Sequence, residues 1–458
     1  MIGKQTIQKA LNVDIGISST MMHALELWTD IYEDTPFWRT GDLIGIQGLG
    51  AAIAGEIARA ATIELEVEFS ENARSEYLQQ QFKKVYKKLR HQIEFGCAKG
   101  GLVLKPYISS NAISVDFIQA DQFFPVQFDA DGVIVSAVFV DQRTVGDVYF
   151  TRLEYHQMLE GNRCEILNQA FRSDNPNTLG EQVSLQLVDD WADIQPSATV
   201  ENIDRPLFAY FRYPLANNID STSPLGVSCY SRATDLIRRA DEIWSNFIWE
   251  LDSAQRALYV DELALKTYED GKVRLPHKRL YRQLDMGGIE DNMFQDWSPD
   301  IRQKDMLESL DAVLKKIEFV CGLAYGTISN PTTVEKTATE VKMAKQRTYS
   351  TIVDTQKELD DTLKHLLYAM DVWTTIGGLA PAGEFDVAFQ FDDSIVVDTE
   401  QQFQQDLLLV KNGLMSRTEF RMRNLRESEK MAQKALQKAE EEMKQQMRLE
   451  MELIPGAE

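Results

Sequence analysis

TDLIRRADEIWSNFIWELDSA (residues 234–254) and DMLESLDAVLKKIEFVCGLA (305–324) are the two phrases on which the fold turns. In the first, Leu236, Ala240, Ile243, Phe247, Leu251 and Ala254 advance by fours and threes; in the second, Met306, Leu310, Val313, Ile317, Val320 and Ala324 do the same. That spacing gives each helix one continuous apolar face. The stripe of the first is widened by Ile237, Trp244 and Ile248, so a single antiparallel pair leaves apolar surface uncovered, and packing against other subunits is expected. Between the helices lies a Gly-punctuated, β-like insert (258–302) carrying a basic knot of Lys272, Arg274, His277, Lys278, Arg279 and Arg282. Two long helices bracketing a small insert read as a stalk with a knob on its end.

Outward from the stalk, residues 1–100 read as helix-rich. A small-residue helix, AAIAGEIARAA, precedes TIELEVEF, whose apolar Ile63, Leu65, Val67 and Phe69 alternate with Glu64, Glu66 and Glu68 as in a half-buried strand. A further helix over 75–95 carries the basic face Lys83, Lys84, Lys87, Lys88 and Arg90. Residues 100–215 break into short β segments forming an antiparallel sheet, with Asp131-Gly132 as a hairpin turn and SDNPNTLG (173–180) as its most exposed loop. Beyond the stalk, GTISNP (326–331) leads into a helix over 337–376, with a Thr337/Glu340 capping box at its start and Gly377-Gly378 and Pro381 closing it. EFDVAFQFDDSIVVDTE (384–400) reads as a strand returning to the sheet laid down before the stalk, and the tail from 401 as helical. Antiparallel sheet with helices before and after it is an α+β class.

The 458 residues correspond to about three domains by length. Acidic side chains number 71 against 48 basic, a net charge of −23, which excludes a basic nucleic-acid-wrapping protein. No stretch has the roughly 18 apolar residues of a membrane span and the start has no signal-peptide core, so a soluble, unexported protein is expected. Cys97, Cys164, Cys229 and Cys321 never form C-x-x-C, and the histidines never form H-E-x-x-H; free buried thiols and no zinc site are expected.

Four motifs invite chemistry and are read as ordinary structure. In GIQGLGAAIAGEIARA (45–60) the third glycine of a dinucleotide fingerprint is replaced by Ile53, so a tight helix-packing surface is favoured. No P-loop occurs. Glu340-Val341-Lys342 could be half of a nuclease motif, but such triplets are common on surface helices. Asp189, Asp190 and Asp193, or Asp392 and Asp393, could hold a divalent cation but read as solvated turns. Lys336, Lys342, Lys345 and Arg347, beside the polar loop at 327–333, are either a solvated helix face or phosphate-touching side chains. The basic knot at 272–282 is either a docking surface for an anionic partner or a subunit interface.

In element order and short phrases the chain resembles the tailed-phage portal proteins, the head-to-tail connectors of siphophage type. The matching parts are the helix 231–257, the insert 258–301, the helix 303–324, the loop 326–337, TATEVKMAKQRTYSTIVDTQKEL (337–359), FQFDDSIVVDTE (389–400), GLMSR (413–417) and GEIARAATIELEVE (55–68). The resemblance implies a wing beginning at 1–229, stem helices at 230–257 and 302–325, and a clip at 258–301. It further implies a tunnel loop at 326–337, a long helix and returning wing strand at 338–400, and a crown and helical tail at 401–458. Thr327, Ser329, Asn330, Thr332, Thr333, Lys336, Lys342, Lys345 and Arg347 then line the DNA channel, and Lys272, Arg274, Lys278, Arg279 and Arg282 dock a partner. The implied assembly is a homo-oligomeric ring, usually of twelve, at one capsid vertex of the virion, built in the host cytoplasm. Its implied partners are double-stranded DNA in transit without sequence preference, a terminase ATPase, capsid and scaffold proteins and a head-tail adaptor, with no membrane. No catalytic residue, metal or cofactor is implied. A helical scaffold or adaptor without a channel is the competing reading.

Overall fold

The computed structural model describes residues 2–40, 45–63, 65–254, 257–261, 281–284, 294–297, 300–330, 338–391, 399–425, 432–433 and 435–439. The chain divides into two compact units, residues 1–391 and 392–458.

The first unit opens with α1 (Lys4–Leu11), α2 (Ser19–Tyr32) and α3 (Leu49–Thr62), followed by the strand β1 (Leu65–Phe69) and the helix α4 (Ala73–Lys99). Ser18 caps α2 by accepting from the Met21 N–H at 3.3 Å, and Asn72 caps α4 by accepting from the Ser75 N–H at 2.8 Å. On α3, Ile53, Ala54, Ile57, Ala58 and Ala61 are all buried, and the helix lies against α4. The glycine-rich run that opens α3 therefore serves close helix packing, as its small side chains require.

The β-rich region forms two sheets where the sequence suggested one. β2 (Gly101–Ser109) is the centre of a three-stranded sheet, with β3 (Ala112–Gln119) on one edge. The other sheet holds β4 (Phe123–Phe128), β5 (Ile134–Val145), β6 (Val148–Leu159), β7 (Arg163–Ser173) and β8 (Glu181–Val183) in that order, with β9 (Ser197–Glu201) also on β7. Asp129 and Gly132 make the expected turn between β4 and β5; the Asp129 carboxylate accepts from the Asp131 and Val133 N–H groups. The chain then returns as β10 (Ala209–Arg212), which pairs with the free edge of β2. Leu102, Val103 and Leu104 on β2 are wholly buried, so both faces of this strand are covered and alternation is lost from its sequence.

After β10 the chain crosses α4's C-terminus where Gly226 meets Gly100. A Cβ on Gly226 would sit 2.0 Å from the Gly100 carbonyl oxygen, and Gly100 itself has φ +84°, so neither position takes a larger side chain. The first stalk helix, α5 (Thr234–Ser253), is shorter than expected because the strand β11 (Ala257–Asp261) begins soon after it. β11 pairs in parallel with β12 (Tyr281–Leu284) and antiparallel with β13 (Phe294–Trp297), which leads into α6 (Gln303–Val320). The helices α5 and α6 pack together, and Arg302 at the start of α6 donates to the Glu250 carboxylate near the end of α5 at 2.9 and 3.1 Å. Asp241, on the buried side of α5, accepts from Trp38 Nε1 at 3.0 Å and from the Gln47 N–H at 3.1 Å, which fastens the N-terminal segment to this helix.

The longest helix, α7 (Ala338–Ile376), runs 39 residues, about 58 Å at the α-helical rise. Leu359, Leu363, Leu366, Leu367 and Met370 are fully buried on its core face. It ends in the expected glycine cap: Gly378 has φ +58°, the Leu379 N–H reaches the Thr374 carbonyl and the Gly378 N–H that of Thr375. Thr337 of the expected capping box lies outside the described residues. The strand β14 (Val387–Phe391) pairs antiparallel with β1, so the returning strand joins neither larger sheet.

In the second unit, α8 (Thr399–Lys411) and α9 (Arg417–Leu425) form a hairpin around Gly413. Buried Asp406 accepts from Asn424 Nδ2 at 2.9 Å, and Phe403 meets Phe420 at 5.3 Å.

Candidate nucleic-acid interface

The connection from α6 to α7 is organised by one side chain that the sequence reading passed over. Glu318 is fully buried near the end of α6. Its carboxylate accepts from the Gly326 N–H at 3.1 Å, the Ile328 N–H at 2.7 Å, the Ser329 N–H at 2.9 Å and the Ser329 hydroxyl at 2.8 Å. Four donors converge on one carboxylate, so residues 326–329 are held in a single conformation, with no cation in contact with Glu318 among the described residues. The signal was present: Glu318 stands four residues after Leu314 and three before Cys321, an acid inside an apolar stripe.

Further bonds tie this loop to both flanking helices. The Asn330 N–H reaches Asp311 Oδ1 on α6 at 3.0 Å, and the other oxygen of that carboxylate pairs with Lys315 at 2.7 Å. The Lys315 ammonium and the Asn330 N–H hold the Asp311 carboxyl below the ordinary carboxylate range. From α7, Thr348 Oγ1 accepts from the Ala324 N–H at 2.6 Å, and the Thr351 hydroxyl donates to the Gly322 carbonyl at 3.1 Å. The exposed ring of Phe319 takes the Arg347 guanidinium at 4.1 Å and the Lys316 ammonium at 4.9 Å. Beside the loop is a groove of about 610 Å³ lined by Tyr213, Leu215, Leu323, Tyr325, Arg347 and Asp354, among others.

The expected site residues separate into three groups. Thr327, Asn330 and Arg347 are exposed around this loop. Ser329 is buried and its hydroxyl is engaged by Glu318, so it supports the loop from within and offers nothing to a ligand. Thr332, Thr333 and Lys336 lie outside the described residues, as do the side chains of Lys342 and Lys345, whose backbone forms the first turns of α7. In the basic knot, Lys272, Arg274, Lys278 and Arg279 lie outside the described residues; Arg282 is placed on β12, its side chain likewise outside.

A family model described as phage portal protein, SPP1 Gp6-like, matches residues 59–447. The chain belongs to that portal family. Comparison with curated proteins finds no match. A portal protein of this family is structural and non-enzymatic. In this portal chain all four cysteines are free and buried. Burial pushes the Cys164 and Cys321 thiols up to about 12, which leaves them as neutral packing groups. Among the described residues no cluster of three or more His, Cys, Asp and Glu could hold a metal ion, and Asp189, Asp190 and Asp193 are exposed turn acids. No helix among the described residues is long and apolar enough to cross a membrane.

Proposed function

We propose that copies of this chain close into a ring, with twelve the expected number, at one vertex of the capsid, and that double-stranded DNA passes through the ring during packaging and ejection. The loop 326–337 faces the duplex in this reading, with Thr327, Asn330 and Arg347 joined by Thr332, Thr333, Lys336, Lys342 and Lys345. The stem is α5 and α6, and the knob at 258–301 docks the terminase ATPase and later the head-tail adaptor through Lys272, Arg274, Lys278, Arg279 and Arg282. The remainder of 1–229 and 338–400 forms the wing that meets capsid and scaffold proteins, and 401–458 the crown. Assembly takes place in the host cytoplasm and the finished ring resides in the virion.

The observation that carries this reading is the Glu318 anchorage. It holds a short polar loop rigidly between two helices while leaving Thr327 and Asn330 at the surface. A loop that must touch a moving polyanion without gripping it needs fixed backbone, few cations and no base-reading side chains. The chain's net charge of −23 suits weak contact of that kind. The test pairs negative-stain imaging with an ATP-driven packaging assay. Wild-type protein gives rings with a central hole; Lys342→Glu with Lys345→Glu still gives rings but packages less DNA. Only monomers and dimers at every concentration, with scaffold protein present, would rule out the ring, and normal packaging by the double variant would return these lysines to the solvated helix face.

A further inference from the structure

The basic face of α4 lies within the part read as wing, and none of the named contacts above uses it. Residues 77–93 contain Lys83, Lys84, Lys87, Lys88 and Arg90 and no acid, in a chain whose acids outnumber its bases 71 to 48. The opposite side of the same helix is core: Leu78, Phe82, Val85, Leu89 and Ile93 are buried under α3, β2 and β3. All five cations are exposed. None pairs with a carboxylate among the described residues, and the single bond they make is Lys84 Nζ to Gln81 Oε1 at 2.7 Å. With a rise of about 1.5 Å per residue, Lys83, Lys87 and Arg90 form one row whose steps are about 6 and about 4.5 Å along the axis, and Lys84 and Lys88 a parallel one. Five unpaired like charges on two turns of helix repel one another, and an external anion relieves that cost.

We propose that this face binds the phosphate backbone of duplex DNA outside any channel, without sequence preference. The composition of the patch favours DNA over an acidic protein. Protein interfaces are built on a desolvated aromatic or apolar centre and are depleted in lysine. Here the one aromatic ring, Tyr86, is half-exposed and its hydroxyl is committed to the Leu65 carbonyl at 2.8 Å. A row of lysines with no apolar anchor is what phosphate contact uses, since affinity there comes from counterion release. The rest of the molecule does not prevent it, because at physiological salt the Debye length is about 8 Å and the local patch sets the potential that a phosphate meets.

The experiment uses full-length protein and relaxed closed-circular duplex, which cannot thread a closed ring, so the outcome is independent of the channel. Wild-type protein is expected to retain circles in a binding assay, with affinity falling steeply as salt rises. The triple variant Lys83→Glu, Lys87→Glu, Arg90→Glu is expected to lose more than tenfold in affinity and to flatten the log–log salt slope by about 3, one per phosphate contact removed. A variant matched in net charge, Lys9→Glu, Lys357→Glu, Arg239→Glu, alters exposed cations elsewhere and is expected to keep binding. Equal loss in both variants, or no retention of circles by wild type, would overturn the proposal. Displacement of the circles by poly-glutamate at equal charge concentration would also overturn it, in favour of an acidic protein partner. Rings that package linear DNA yet ignore circles would sink this inference alone.

Discussion

Glu154 and Glu318 are both buried carboxylates, and they are satisfied in opposite ways. Glu154, on β6, is met by two cations, Lys105 at 2.5 Å and Arg152 at 3.0 Å, and by the His156 ring at 2.7 Å. Glu318 has no cation in contact among the described residues and is met by backbone N–H groups and one hydroxyl. The first arrangement ties side chains of β2 and β6 to each other, so it joins the two sheets. The second ties a side chain to the chain's own path, so it prescribes where a loop runs. Charge paired with charge fixes assembly of the core, whereas charge paired with backbone fixes a local shape. Under the proposed ring, the first arrangement would serve the body of the wing and the second a loop that faces DNA.

The largest expected effect breaks the ion cluster. Glu154→Ala leaves Lys105, 5% exposed, without its ion-pair partner and Arg152, 10% exposed, with only Asp141 at 3.6 Å, which should cost about 3–5 kcal/mol of global stability. Denaturant unfolding measures it. Adding Lys105→Met should recover part of the loss, and a double variant no better than the single one would show that the pair is not what holds the sheets together. Glu318→Ala comes next. It orphans the Ile328 and Ser329 N–H groups, leaves the Gly326 N–H only Ser329 Oγ at 3.1 Å and frees the Ser329 hydroxyl, and about 2–4 kcal/mol is expected, confined to residues 322–330. Hydrogen exchange should speed up at Gly326, Ile328 and Ser329 while the amides of β6 keep their protection. Faster exchange throughout the molecule would erase the distinction between the two carboxylates.

The helices α5 and α6 were legible because their information is periodic. Apolar steps of four and three survive without knowledge of partners, and α5 and α6 lie where those steps predicted within a few residues. The glycine cap of α7 and the turn at Asp131-Gly132 were legible for a similar reason, since each is set by backbone geometry at single residues. The division of the β region into two sheets was not legible. β2 is buried on both faces and pairs with β10, more than a hundred residues later, so neither alternation nor proximity in sequence marks the boundary. Within the candidate site, Thr327, Asn330 and Arg347 were singled out by polarity and position, and all three are exposed. The burial of Ser329 was not legible, because a hydroxyl in a polar loop looks the same in sequence whether it faces solvent or a buried acid. Glu318 was missed because charged residues on amphipathic helices are assigned by default to the wet face.

The smallest expected effect is in the pH profile, and it tests whether the sheet cluster is electrostatic. Burial acts to raise the Glu154 carboxyl, but Lys105, His156 and Arg152 together hold it well below the ordinary carboxylate range. A depressed carboxyl contributes stability above its unfolded value of 4.5, lost as pH falls through the folded one. His156, 2% exposed, is lowered from 6.5 chiefly by burial, with Glu154 pulling the other way. A histidine buried neutral likewise contributes stability above 6.5 and loses it on acidification, because the unfolded chain takes up the proton more readily. Stability should therefore decline in two stages as pH falls, the first below about 6.5 from His156 and the second below about 4.5 from Glu154. His156→Gln, measured by chemical denaturation from pH 8 to pH 4, should remove the first stage and leave the second. If the variant still loses stability just below pH 6.5, another group carries that transition, and the cluster's claim to differ from Glu318 rests on the truncations alone.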